Sequence, residues 1–177
     1  EALLFTIAEE LLEGDYPSVT VHSFLESGHL PLINKTFYKS DKKEMWIDLL
    51  ISLTRKSGFH VGHLILQRVK TYSQKALFQI VKGKEVVTIT YKQAWKRMLE
   101  IGKSLSKLTD GFSHPVIGIL TTNSLYGALL DLACLSFHFR IVPIPTNLSK
   151  ADLNYILNHA GITHLFIGGA EPHDLFN

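Results

Sequence analysis

The sequence predicts an α/β fold: a parallel β-α-β-α-β subdomain preceded by a β-hairpin and a helical N-terminal extension. Three observations carry this. Short apolar runs suited to buried strands recur at Pro115–Leu120, Arg140–Ile144 and Thr163–Ile167, with helix-patterned segments between them; such alternation implies parallel strands joined by crossovers. Two strand-like runs, Ala76–Val81 and Val86–Thr90, flank Lys82-Gly83-Lys84-Glu85, which is a hairpin signal. Upstream of Ser73 the clearest apolar patterning has helical spacing.

The elements follow in order. Leu3, Leu4, Ile7, Ala8, Leu11 and Leu12 form a helical stripe that Gly14 stops. Asp15–Ser40, punctuated by Pro17, Gly28 and Pro31, reads as turns around one short element. Asp41 is the expected N-cap of the next helix, with Glu44 three residues on, inward-facing Met45, Trp46, Leu49, Leu50 and Leu53, and a stop at Gly58. A third helix spans Val61–Ser73 with Leu64, Ile65 and Val69 inward. After the hairpin, Thr90 caps a long helix, and Gln93 completes the capping box. Its expected buried face is Ala94, Trp95, Met98, Leu99, Gly102, Leu105 and Leu108. Pro115–Leu120 is apolar throughout, as a strand covered on both faces requires. Asn123 or Ser124 starts a nearly all-apolar helix. Arg140–Ile144 is the next strand. Ser149 with Asp152 is a further capping box, for a helix with Leu153, Ile156, Leu157 and Ala160 inward, ended by Gly161 before the last strand.

Composition excludes several classes. Eighteen basic and 16 acidic residues leave a net charge of +2, and the basic ones are scattered, so no electrostatic footprint for nucleic acid exists. The single cysteine, Cys134, excludes a disulfide framework and points to a reducing, cytoplasmic compartment, with peripheral membrane attachment left open. No apolar run is long enough to span a membrane, and the acidic residues among the first 13 argue against a secretory signal.

Chemistry-bearing patterns are sparse. Thr121-Thr122-Asn123-Ser124, after the first strand of the parallel series, has neither the glycines nor the lysine of a phosphate loop, so helix capping is the expected role. Gly168-Gly169 follows the last strand where open sheets place ligands, yet reads as a simple turn. His60 and His63 are three apart and could face one ligand, but no cysteine or third histidine lies near in sequence. His114, His138, His159, His164 and His173 show no ligand spacing. Asp131 interrupts an apolar helix; a buried, hydrogen-bonded anchor is expected in preference to an acid–base role. No nucleophile elbow surrounds Ser52, Ser104, Ser124 or Ser136, and Cys134 reads as a buried, inert thiol. The expected catalytic, cofactor-binding and metal-binding sets are therefore all empty.

From about Phe59 onward the sequence resembles the adenylate-forming superfamily of acyl- and aryl-CoA synthetases. The residues that carry the resemblance are VTITYKQAWKRMLEIGKSLSKL, the Asn123-Ser124 turn, Val142-Pro143-Ile144-Pro145, and Asp152 through Asn158-His159. The run Tyr155-Ile156-Leu157-Asn158-His159 is most similar to long-chain fatty acyl-CoA synthetases. Two departures stand out: Ser113-His114 replaces the family's Gly-Asp, and Phe137-His138-Phe139-Arg140 replaces a small, glycine-containing turn.

The resemblance implies an ATP-, Mg- and CoA-dependent parent enzyme acting on a fatty or other carboxylic acid. The carboxylate attacks the α-phosphate to give an acyl adenylate, and coenzyme A then takes the acyl group. The family's phosphate loop, its aromatic–Thr–Glu segment, its ribose-binding Asp and its catalytic Lys have no counterpart here, so the chain, which opens on Glu1, is expected to be a non-catalytic piece of that parent with no cofactor bound. Residues 1–58 are expected to be a helical extension, and 59–177 the incomplete N-terminal part of the large domain. A self-contained non-catalytic α/β interaction module and an acyl-AMP ligase feeding a carrier protein are the alternatives. Self-association through an exposed strand edge at Thr163–Ile167 is also expected.

Overall fold

The computed structural model describes residues 2–27, 37 and 39–168. The chain divides into two compact units, residues 1–64 and 65–177.

The first unit is helical: α1 (Ala2–Glu13), α2 (Ser18–Leu25), α3 (Lys43–Ser57) and the first turn of α4 (Val61–Tyr72). Within the stretch 15–40, read as turns around one short element, the described residues include α2 and a helical residue at Phe37; residues 28–36 and 38 lie outside the described residues. Phe5, Ala8 and Leu11 of α1 meet Val21, Phe37 and the α3 stripe Trp46, Leu49 and Leu53 in one core. The spacing put Met45 inward as well, but it is 58% exposed, since the buried arc of α3 runs Trp46-Leu49-Leu53-Ser57 and Met45 falls outside it. Asp41 does not cap α3. The N-cap is Lys42 without a side-chain bond, because residues 39–42 form a turn in which the Ser40 hydroxyl accepts from the Lys42 amide. Lys56 reaches from the end of α3 to the carbonyls of Leu11 (3.3 Å), Leu12 (2.7 Å) and Gly14, placing a cation on the otherwise unpaired C-terminal carbonyls of α1.

The second unit opens with the remainder of α4, whose Ile65 is buried while Leu64, expected inward, is exposed. The hairpin β1 (Ala76–Lys82) and β2 (Glu85–Thr90) turns at Gly83, φ 61°, and pairs antiparallel as expected. At α5 (Tyr91–Leu108) both halves of the Thr90/Gln93 capping box are present. Ala94, Met98, Gly102 and Leu105 are buried, whereas Leu99 and Leu108, also expected inward, are exposed.

β3 (Val116–Thr121), α6 (Leu125–Ser136), β4 (Arg140–Ile144), α7 (Lys150–His159) and β5 (His164–Gly168) complete the chain's described elements. The three strands are parallel, in the order β4-β3-β5. Alternate residues of β3 serve opposite faces: Ile117 and Ile119 pack with Leu105 of α5 and with Leu130 and Cys134 of α6, whereas Leu120 packs with Leu153 of α7. β3 is therefore buried on both sides, as its unbroken apolar run required. Thr163 ties β5 to the start of β3, donating from its amide to the Val116 carbonyl and accepting from the Val116 amide on its hydroxyl.

The Phe137–Arg140 turn accommodates its large side chains in a specific way. α6 ends with the Phe139 amide bonded to the Cys134 carbonyl at 3.0 Å and His138 left-handed at φ 63°. The same closure ends α7, where Ile162 bonds Leu157 and the left-handed residue is Gly161. His138 thus sits where this helix ending favours glycine. His138→Gly is expected to stabilise the chain by about 1 kcal/mol, raising the thermal midpoint by roughly 2–4 °C. A lowered midpoint in calorimetry would count against this.

Candidate functional site

The middle strand comes first in the β3-β4-β5 sequence. The chain leaves β3 toward one neighbour through α6, then crosses to the other through α7, and the two helices pack on opposite faces. In open α/β sheets such a reversal leaves a crevice outside the carboxyl ends of the strands, where ligands bind. Two adjoining cavities lie there. One, of about 280 Å³, is lined from Thr121 to Gly168 and includes Phe166; the other, of about 420 Å³, includes Asn123, Asp131 and Pro143.

The polar groups of this crevice are largely used by the fold. Ser124, one of the two expected helix starters, is the N-cap of α6, and its hydroxyl accepts from the Gly127 amide at 3.1 Å. Thr121 donates its hydroxyl to the Thr122 carbonyl at 3.1 Å. Glycines flank Thr121: a Cβ on Gly127 would stand 2.7 Å from its methyl group, and one on Gly168 2.6 Å from its hydroxyl. Those glycines let two elements approach one threonine, which is a packing role. At α7 the Ser149 hydroxyl accepts from the Asp152 amide, but the Asp152 carboxylate accepts a hydrogen bond from the Ser149 hydroxyl at 2.6 Å, leaving the capping box half made. Asp lacks the extra methylene with which Glu reaches back to the N-cap amide.

Asp131 lies half-buried in the wall of the larger cavity, and no hydrogen bond to it is found among the described residues, so the expected anchoring role is not what the geometry shows. It acts on its neighbour instead. Burial first, and then the Asp131 carboxylate, push the Cys134 thiol up to about 12 from 9.0. The thiol is fully buried and free. Between those two values the folded chain holds a proton that the unfolded chain has lost, so this group's contribution to stability falls as pH rises through that window. The native chain should leave Cys134 unlabelled by a thiol reagent near pH 8 and label rapidly once unfolded; rapid labelling of the native chain would contradict the burial.

His60 and His63 do come together, with ring centroids 4.0 Å apart, and His22 joins them 4.3 Å from His63. This third histidine was not legible from spacing, because α2 and α4 are distant in sequence. Among the described residues no group of three or more His, Cys, Asp or Glu side chains could hold a metal. In the crevice the hydroxyls of Thr121 and Ser124 are engaged locally, and no lysine lines it among the described residues. His173 and Gly169 lie outside the described residues. A larger, mostly apolar trough of about 580 Å³ runs between α5, α6 and Phe166 of β5, with Arg97 and Glu100 among its lining residues.

A family model for AMP-binding enzymes matches residues 66–176. Among solved structures, a fatty acyl CoA synthetase of Mycobacterium tuberculosis aligns with TM-score 0.57 and 21% identity over 66% of this chain and 22% of its own. The inhibitor-bound N-terminal domain of FACL13 from the same organism aligns at 0.56 and 22%, over 66% of this chain and 28% of that one. A fatty acid AMP ligase from Legionella pneumophila aligns at 0.54 and 16%, over 61% and 19% respectively. At such identities the likeness establishes the fold. The chain spans less than a third of the length of each of these structures. No curated protein sequence matches it.

Proposed function

The chain belongs to the AMP-binding enzyme family, and from that premise we propose that it is the N-terminal scaffold of an ATP-dependent fatty acyl-CoA synthetase. The observation that carries this reading is the β-α-β-α-β unit itself, whose strands and turns fall in the family's order within the matched residues 66–176. Residues 59–177 would then be the opening part of the large domain and 1–58 a helical extension to it. The parent enzyme would join a fatty acid to coenzyme A through an acyl adenylate, with ATP and Mg held by residues other than those described here. The described residues contribute the framework: a strand covered on both faces and two crossover helices. A cytoplasmic setting accords with the lone reduced Cys134. No helix of the described residues is long and apolar enough to cross a membrane.

The test is fatty-acid-dependent exchange between ATP and pyrophosphate by the protein that carries this chain in full. Exchange with no carboxylate of any length would overturn the reading. An acyl-AMP ligase is the competing outcome, since a fatty acid AMP ligase shares the fold. Coenzyme A separates the two: it should release AMP from a synthetase and leave the adenylate of a ligase intact.

β5 pairs with β3 alone among the described strands, so its outer edge offers unpaired backbone groups. We expect copies of the isolated 177-residue chain to associate through that edge; a clean monomer in light scattering at high concentration would exclude it.

A further inference from the structure

We propose that His60 and His63 form a pH-operated clasp on the first turn of α4, closed while both rings are neutral and opened by protonation in mild acid. The geometry resembles a reciprocal capping box, with the N-cap side chain accepting from the second helical residue in place of the third. The buried amide of Gly62 donates to His60 Nδ1 at 3.1 Å, and the His60 amide donates to His63 Nδ1 at 3.2 Å. Serine or threonine with glutamate or glutamine ordinarily fills these two places. Here both acceptors are imidazole nitrogens, so the clasp requires two neutral rings carrying their proton on Nε2. A proton added at either Nδ1 turns the acceptor into a donor that faces another donor.

The surroundings oppose that added charge. The two rings are 4.0 Å apart between centroids, so paired cations would repel, and they sit at the positive end of a helix. His22 of α2 adds a third ring, whose Nε2 donates to the Ser57 carbonyl at 2.7 Å. Arg55 and Lys56 occupy the last turn of α3, Lys56 reaching the carbonyls of α1, and Glu26 follows the end of α2. The clasp's contribution is therefore complete above the ordinary histidine range and lost as pH falls through it. α4 carries the chain from the first unit, which ends at Leu64, to the second, so the turn that loosens is at this passage.

The protein contains its own control. At α5 the Thr90 amide donates to Gln93 Oε1 at 2.9 Å, and the Gln93 amide to the Thr90 hydroxyl at 3.3 Å: a reciprocal cap without a titratable group, its hydroxyl accepting from the third helical residue where His60 accepts from the second. Amide hydrogen exchange of the full 177-residue chain, corrected for intrinsic rates, should be followed by NMR from about pH 7.5 to about pH 5.5, across the histidine range. Protection of Gly62 should fall by roughly tenfold, the worth of one lost hydrogen bond, while that of Gln93 holds. His60→Ser with His63→Gln replaces both imidazole acceptors by side chains that do not titrate and should leave Gly62 protection independent of pH over the same range. His60→Ser alone removes the titrating acceptor of the Gly62 amide and should also flatten the change, and it serves if the double variant does not fold. Protection of Gly62 that is flat in the wild-type chain, or an equal loss in either variant, would overturn the proposal.

Discussion

Trp46→Ala is expected to cost about 3–5 kcal/mol, the range for emptying a buried aromatic site. Trp46 is 2% exposed; its ring stacks on Phe37 at 4.6 Å and meets Phe5 at 5.4 Å, and Phe5 meets Phe37 edge-on at 5.2 Å. Three rings from three separate stretches of chain thus close one cluster, and removing the indole takes away its largest member. A unit of this length buries too little surface to hold a large margin of stability, so a loss of that size brings it close to unfolding. The variant keeps Trp95 as a fluorophore in the second unit. Denaturant titration read by far-ultraviolet circular dichroism should show helix lost early, and an unchanged midpoint would show that the aromatic cluster is not what holds the first unit.

Gly102→Val should destabilise the second unit by about 2–3 kcal/mol through one contact. Glycine in mid-helix sacrifices about 1 kcal/mol relative to alanine, so α5 does not hold it for the helix's sake. A Cβ at 102 would lie 2.5 Å from Cδ2 and 2.8 Å from Cε2 of Phe137, whose ring also leans on Trp95 at 5.9 Å. α5 and the end of α6 are thus fitted to each other by a missing side chain on one and a large one on the other. In a Phe137→Ala background the valine should cost less than about 1 kcal/mol, because the clash has been removed. Equal costs in the two backgrounds would refute the account. The pairing also explains how a phenylalanine is accommodated at the end of α6: the room is provided by Gly102.

Much of this architecture was legible residue by residue. The Thr90/Gln93 box, the Ser124 cap, the Gly58 and Gly161 helix ends and the hairpin turn at Gly83 each follow from interactions within a few residues, and each was found where spacing placed it. Misplaced residues share a cause. Met45, Leu64, Leu99 and Leu108 all lie at helical spacing from buried partners, yet all are exposed. Periodicity gives the direction of a helix's apolar face but not how wide an arc its neighbours cover. Asp41 failed for a related reason: a good capping residue caps only if the backbone before the helix is extended, and here it is a turn. The candidate site was less legible. Spacing raised His60 and His63 as ligands, and only their Nδ1 contacts revealed them as caps.

The sequence by itself determined the order of elements from β1 to β5 and the parallel direction of the last three strands, because these rest on local hydrogen bonding and on the period of apolar residues; the kinship with AMP-binding enzymes rests instead on the resemblance of a motif series and on the family match over residues 66–176. Only the tertiary structure decided that β3 lies between β4 and β5, that His22 joins His60 and His63, that Thr121 is gripped between Gly127 and Gly168, and that Phe137 rests on Gly102. Most of those contacts join residues far apart in the chain. Burying apolar surface selects such contacts, and that burial depends on which faces meet rather than on any pattern within one segment.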